Sequence, residues 1–415
     1  MDDRVDPVAE DQIHSLAVVR SILPWRDLLA SNFGTTHPNA SLQLIDVVIV
    51  MLAGFFNPLV RSQRLLDALS SQQWMQERTG VQRIARSTLS DALKRLDGQA
   101  LRPLIDQLVK RIPALHRRDP DLAAVTRQIL AADGTYFNLP GEVAWALQNR
   151  RGNTERKQSR IRLNLQLDIE SFTPVDGDFS GRDDASEPEA FRRRLRPGVI
   201  YLLDRNFHPH RFLNTLLDIG SSFVLRLRKN VGFTVQRCLP LSARDAECGV
   251  LRDEIGTLAG PRSAGNGDCR SCTDKPPGQP LRRVTIRDEK NQCEVVRLSD
   301  LLDVPAYVIA ALYRNRWQIK LFFKWLKCCA CFDHAVSHHP GGLTLQFYVA
   351  ILATLLLHLH TRRRVSKYAL FWLGSVASGR ATFGQMRAGL ARIEREKELE
   401  RARRRRKRLA AKPQV

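Results

Sequence analysis

The chain has 415 residues, 43% of them hydrophobic, and its 65 Lys and Arg against 43 Asp and Glu leave a formal charge of +22. That length and apolar content suffice for a sizeable buried core in two or three domains, and they exclude a disordered or fibrous chain. A pI near 10.3 makes polyanions the leading partner class, because basic surfaces gain affinity by displacing counter-ions from phosphates; a solvated basic protein with no such partner is the plain alternative.

The sequence opens Met-Asp-Asp-Arg without the apolar stretch of a secretory signal, so a cytoplasmic protein is expected. Residues 1–120 read as a separate helical domain, with apolar residues at helical spacing and no good strand candidate. Within it, residues 83–96 (RIARSTLSDALKRL) place Thr88 three residues before Asp91, a capping-box spacing, and carry Leu89, Ala92, Leu93 and Leu96 as an apolar stripe. Lys94 and Arg95 lie off that stripe. With the helical stretch at 65–75 before it, this is either the second helix of a helix-turn-helix holding DNA through Lys94 and Arg95 or a surface helix of a bundle. The apolar runs 42–56 and 343–357 contain Gln43, Asp46 and Gln346 and fall short of the roughly 20 residues a membrane span needs, so both read as buried core helices, with no membrane involved.

From about residue 121 the texture changes to short apolar runs alternating with helical stretches, the mark of an α/β domain. Strands are expected at 128–132, 161–169, 199–203 and 223–227, with helical character at 205–217. Residues 231–300 hold β-prone pieces (GFTVQ, RRVTI, CEVVRL) around a Gly-, Pro- and Ser-rich stretch at 259–280, and read as an inserted β-rich subdomain. A helical part follows at 301–375. Residues 376–415 form a basic tail containing RARRRRKR at 401–408, expected to be disordered and to add sequence-independent affinity for nucleic acid. Cys269 and Cys272 have the spacing of half a zinc site, but no second pair follows at a familiar distance. Cys328, Cys329 and Cys331 read as packing residues.

Two carboxylates stand where buried strands should emerge. Asp133 directly follows the run QILAA, and Asp204 directly follows VIYLL. Strand ends are rigid mounts, and neighbouring strands can bring two such carboxylates close enough to share a hard cation such as Mg²⁺. Taken singly, each Asp is a common strand terminator. A more specific pattern lies in residues 313–327 (YRNRWQIKLFFKWLK). At about 100° per residue, Tyr313, Arg316, Trp317, Lys320, Lys324 and Lys327 share one arc, and Ile319, Leu321, Phe322, Phe323, Trp325 and Leu326 lie opposite. A basic helix face backed by aromatic residues suits contacts to DNA phosphates, and Tyr313 can donate to the same backbone.

The spacing of Tyr313, Arg316, position 320 and Lys327 resembles the YREK signature of the insertion-sequence-four family of DDE transposases. AADGTYF around Asp133, YLLDRNF around Asp204 and FVLRLRKN from Phe223 resemble further motifs of that family, over roughly residues 80–360. The resemblance implies a ribonuclease-H-like core in two parts, 121–230 and 301–375, preceded by an end-binding domain and interrupted by the β-rich insertion. It also implies Mg²⁺ or Mn²⁺ held by Asp133 and Asp204, cleavage and rejoining of double-stranded DNA at the terminal inverted repeats of a mobile element, and a dimer when two ends are paired.

One position departs from the pattern. The family has a Glu where this chain has Lys320, and an ammonium has only donors, so it cannot ligate a cation. The nearest acidic residues along the chain are Asp303 and Asp333, more than a helical turn away. Three readings follow: a transposase, a catalytically dead DNA-binding protein derived from one, and a metal-dependent nuclease of another role.

Overall fold

The structure is a computed structural model. It describes residues 42–57, 60–111, 119–139, 145–150, 157–182, 186–228, 231–259, 275–288, 292–328, 335–361 and 380–410, with a few single positions between them. Cys269, Cys272, Cys329, Cys331 and nearly all of the first 41 residues, on which the half zinc site, two of the packing cysteines and the start of the helical domain were expected, lie outside the described residues. The chain divides into two compact units, one formed by Met1–Ile112 with Trp325–Val415 and the other by Pro113–Lys324.

The first unit is helical. Its early elements are α1 (Leu44–Phe56), α2 (Gln63–Ser70), α3 (Gln73–Thr79), α4 (Arg86–Arg95) and α5 (Arg102–Arg111). The hydrophobic face of α4 buries Leu89 and Leu93. Its N-cap is Ala85, with no side-chain cap hydrogen bond, so Thr88 lies inside the helix and the expected capping box is absent. The long apolar helix of this unit, α11 (Pro340–Thr361), packs on α1, α4 and α5. Gly98 permits its approach, since a Cβ there would lie 2.7 Å from the backbone of Leu345. Pro340–Leu359 is long and apolar enough to cross a membrane, longer than the apolar run alone indicated, but 83% of its apolar window is buried among protein. The last element, α12 (Phe383–Ala410), replaces the expected disordered tail with a helix. Its Glu, Lys, Arg and Ala content is strongly helix-favouring, and Arg392 and Glu396 pair one turn apart at 3.5 Å.

The second unit is mixed α/β, built on one 10-stranded sheet. Its strands are β1 (Ile129–Leu139), β2 (Leu147–Arg150), β3 (Lys157–Asp168), β4 (Thr173–Ser180), β5 (Ile200–Leu203), β6 (Ser222–Arg226), β7 (Phe233–Cys238), β8 (Val250–Leu258), β9 (Leu281–Asp288) and β10 (Cys293–Ser299). The order is β2-β3-β1-β5-β6-β10-β9-β8-β7, with β4 also on β3. Strands β1, β5 and β6 run parallel and the other pairings are antiparallel. The β-rich region 231–300 does not form a sheet of its own, because β10 pairs with β6 and carries β7 to β9 onto the same sheet.

Alternation along the strands sorts side chains to two faces. Leu130, Ala132, Leu203, Leu225 and Leu298 join Phe191, Phe207, Phe212 and Leu216 in one apolar layer, which includes residues of α6 (Glu187–Arg192) and α7 (His210–Asp218). The expected helical stretch 205–217 is thus a 3-10 turn, Arg205–Phe207, followed by α7. Fully buried rings such as Phe207 and Phe223 each contribute about 1.5–3 kcal/mol by leaving water. A short helix, α8 (Ala243–Glu247), precedes β8; helix α9 (Ala306–Asn315) packs on β6, β8, β9 and β10, and α10 (Trp317–Cys328) follows it after a single turn residue. Tyr313 therefore lies in the last turn of one helix and Lys320 belongs to the next, where one continuous helix was expected. The break is a tightened turn in which the amide of Arg316 donates to the Tyr313 carbonyl at 3.1 Å.

Candidate active site

Strand β1 continues well past Asp133, which is 3% exposed. This corrects the expectation that Asp133 ends its strand. On one edge β1 pairs with β3 through Asp133↔Leu165 and on to Leu139↔Ser159; on the other, its parallel pairing with β5 stops at Ala131↔Leu202. Asp133 thus stands where one edge of β1 has just been freed. Asp204 does follow its strand directly, half-buried, and its carboxylate accepts the Asn206 amide at 2.7 Å to cap the 3-10 turn. The structure brings these two aspartates together on neighbouring strands. Burial pushes the Asp133 carboxyl above its usual range, Lys320 and Arg316 oppose that shift, and the nearby charge of Asp204 adds to it.

Both opposing cations reach Asp133 directly. Lys320 Nζ lies 2.6 Å from Asp133 Oδ2 and Arg316 Nη1 lies 3.3 Å from the same oxygen. Tyr313 is buried rather than presented to solvent. The Arg297 guanidinium lies 3.8 Å from its ring centroid and that of Arg316 lies 5.4 Å away; its hydroxyl is buried without a hydrogen-bond partner among the described residues. Trp317 and Lys324 are exposed and Lys327 is half-buried. Leu321, expected on the apolar back, is 43% exposed. In the helical unit, Lys94 and Arg95 are both exposed on α4, and Lys94 pairs with Asp91 at 3.0 Å.

Sequence reasoning missed Glu187, the first residue of α6. Its carboxyl is raised by burial and then by the charges of Asp133 and Asp204, against Arg162 and the Gly134 amide. Gly134 gives it room, for a Cβ there would lie 2.5 Å from Glu187 Oε1. The glycine beside Asp133 is the one sequence signal of this third carboxyl.

Aspartate oxygens are suitable donors for a hard divalent ion. As arranged, however, the Lys320 ammonium already stands against Asp133 in the place of a cation, and no group of three His, Cys, Asp or Glu among the described residues could hold a metal ion. The residues present do not fit the Mg²⁺ or Mn²⁺ implied by the resemblance while Lys320 holds this position.

Residues 125–356 match the family described as "Transposase DDE domain", more than half of the chain. The chain belongs to that family, whose members cleave and rejoin DNA and generally use divalent metal ions. It is also 26% identical over 168 residues to "Putative transposase y4zB" of Sinorhizobium fredii, a match covering 40% of this chain and 44% of the relative.

Proposed function

We propose that this chain is a transposase of the insertion-sequence-four type, with a YREK-like helix pair, in which Lys320 has closed the cleavage site while DNA binding is retained. The observation that carries this reading is the 2.6 Å pair between Lys320 and the buried Asp133. Asp133 and Asp204 are assigned as the two remaining acidic residues of the site. Arg316, Lys324 and Lys327 are assigned to the DNA backbone, with Tyr313 holding Arg316 in place. The antiparallel run β4-β3-β1 continued by parallel β5 and β6 supports a ribonuclease-H-like core whose first part is residues 121–230; residues 231–300 are assigned to the insertion and 301–375 to the second part. Residues 1–120, with Lys94 and Arg95, are assigned to the terminal inverted repeats, the segment 376–415 to sequence-independent contacts, and the end-paired complex is read as a dimer. DNA would be met in the cytoplasm.

A carboxylate that is paired with an ammonium and a guanidinium has little left to offer a second cation, and close charges interact by about 4 kcal/mol at an effective dielectric of 20. Each 1.36 kcal/mol is tenfold in rate, so cleavage falls by orders of magnitude. The test compares the parent, Lys320→Glu and Lys320→Glu with Asp133→Ala on DNA carrying the inverted repeats that flank the reading frame, with Mg²⁺ or Mn²⁺ present. The parent should bind without nicking, Lys320→Glu should nick at least a hundredfold faster, and the double variant should not. Equal nicking by the first two overturns the assignment of Lys320.

A further inference from the structure

The strand registers place a row of four charged residues across the middle of the sheet. Leu203 pairs with Leu225 between β5 and β6, and Arg226 pairs directly with Arg297 between β6 and β10. Carrying the parallel registers past Ala131↔Leu202 and Leu203↔Leu225 gives the order Asp133, Asp204, Arg226, Arg297 on four adjacent strands. Their neighbours Ala132, Leu203, Leu225 and Leu298 belong to the apolar layer of the opposite face, so by alternation all four charged residues share the other face. Strands lie about 4.8 Å apart, so Arg297 stands roughly 10 Å from the level of Asp204.

The two halves of the row are treated differently by the fold. At the acidic end, Asp133 has Lys320 and Arg316. At the basic end, Arg226 is exposed and has no acidic partner among the described residues. Arg297 has one long hydrogen bond, from Nη1 to the Val296 carbonyl at 3.4 Å, and the Tyr313 ring. Its Nε, the Nε of Arg316 and the Tyr313 hydroxyl are buried without partners among the described residues. Burial and the charges of Arg226 and Arg316 pull the Arg297 guanidinium down to about 10, which leaves it charged at neutral pH. Like charges directly opposite on a strand pair destabilise a sheet, as does a buried cation without an anion. The fold carries both costs at one place, beside its carboxylates.

We propose that Arg226 and Arg297 form a phosphate subsite for the DNA strand entering the site, gripping backbone phosphate beside the phosphodiester presented to Asp133 and Asp204. The proposal rests on the reading of the chain as a DNA-acting protein. Phosphate is the suited anion because guanidinium forks bind it bidentately and a backbone offers one at every step. Arg226, at the exposed end of β6, contacts the phosphate; Arg297 supplies the second charge and, through Tyr313, positions Arg316.

The test uses the full-length parent, Arg226→Ala, Arg226→Glu and Arg297→Lys with a labelled duplex oligonucleotide of arbitrary sequence bearing a single-stranded 3′ end, titrated across salt concentrations, alongside thermal melting without DNA. Arg226→Ala should weaken binding roughly tenfold and lower the salt slope by about one unit, while raising the melting temperature of the free protein by relieving repulsion on Arg297. Arg226→Glu should exceed it in both directions. Arg297→Lys keeps the charge and loses the fork and the stacking, so its salt slope should hold while its affinity falls. A neutral methylphosphonate at the contacted phosphate should weaken the parent and leave Arg226→Ala unmoved. If the parent binds steeply and Arg226→Ala binds identically, the subsite is wrong and the DNA reading stands; if the parent binds no DNA at low salt, both fall.

Discussion

Arg282 on β9 and Arg297 on β10 are close neighbours in one sheet, with Ser299 opposite Arg282 and Val284 opposite Arg297, yet they are provided for in opposite ways. The Arg282 side chain is 4% exposed and forks onto Asp253, 3% exposed, with Nη2 to Oδ2 at 2.6 Å and Nε to Oδ1 at 2.8 Å. Its remaining nitrogen donates to the carbonyls of Leu302 at 3.2 Å and of Val304, tying β9 to the chain that leads into α9. Arg297 has a ring, another arginine and one long hydrogen bond. A guanidinium that serves the fold is given its acceptors by the fold. One left without them, paired with a second arginine in the row that leads to Asp204 and Asp133, marks a place prepared for an outside anion.

The largest effect that sharpens this contrast is on stability. Asp253→Ala should cost about 3–5 kcal/mol, since it strands a buried guanidinium, whereas Arg297→Met should be neutral or stabilising because it removes an unpaired one. Urea unfolding of both variants measures the difference. A loss at Arg297 equal to that at Asp253 would make Arg297 a structural residue and dissolve the contrast.

Next in size is the pair at the acidic end. Lys320→Met should cost about 1.5–3 kcal/mol at neutral pH by removing a charged hydrogen bond to a buried carboxylate. The sign of its pH dependence follows from Asp133, which is raised by burial and held back by Lys320. Without Lys320 the carboxyl rises further. A raised group stabilises fully below its unfolded value and loses that contribution as pH climbs through its folded value. The deficit of Lys320→Met relative to the parent should therefore shrink toward acid and be widest at neutral pH, as unfolding measured across that range would reveal. A deficit constant with pH would mean that the ammonium does not act on Asp133.

These pairs differ in how far the sequence alone disclosed them. Asp133 and Asp204 stood out because each follows an apolar run, and Lys320 because the resemblance to the YREK signature implies a Glu at its position. Local periodicity could not show that β1 runs on past Asp133, since that depends on β3 pairing with one edge only. Nor could it show the tight turn at Arg316, which puts Tyr313 in the core. Arg226 and Arg297 were invisible for the same reason: they meet through a β6–β10 register between segments far apart in the chain, and the region holding β10 read as a separate subdomain. Glu187 arrives from a helix on the other layer, through a gap left by one glycine.

The contrast between a provided and an unprovided cation recurs on the surface of the helical unit, where its energetic scale is smallest. Lys94 and Arg95 are adjacent and exposed on α4, but Lys94 is engaged by Asp91 at 3.0 Å, three residues back, and that contact holds Asp91 below its usual carboxylate range. Arg95 has no ion pair among the described residues. A fully exposed pair of this kind is screened by solvent and contributes little, so neither Lys94→Ala nor Arg95→Ala should move the unfolding midpoint appreciably. Their effects on DNA should differ. An ammonium already beside a carboxylate has part of its charge neutralised and displaces fewer counter-ions from a phosphate; a free guanidinium displaces its full share. Arg95→Ala should therefore lower the salt slope of binding by close to one unit, Lys94→Ala by less, and Asp91→Ala should raise it. Binding of inverted-repeat duplex by the full chain across a salt series measures all three. Equal slopes in the three variants and the parent would assign α4 to the bundle surface, the other reading its sequence allows, and the search for the end-binding helix would move to α2 and α3.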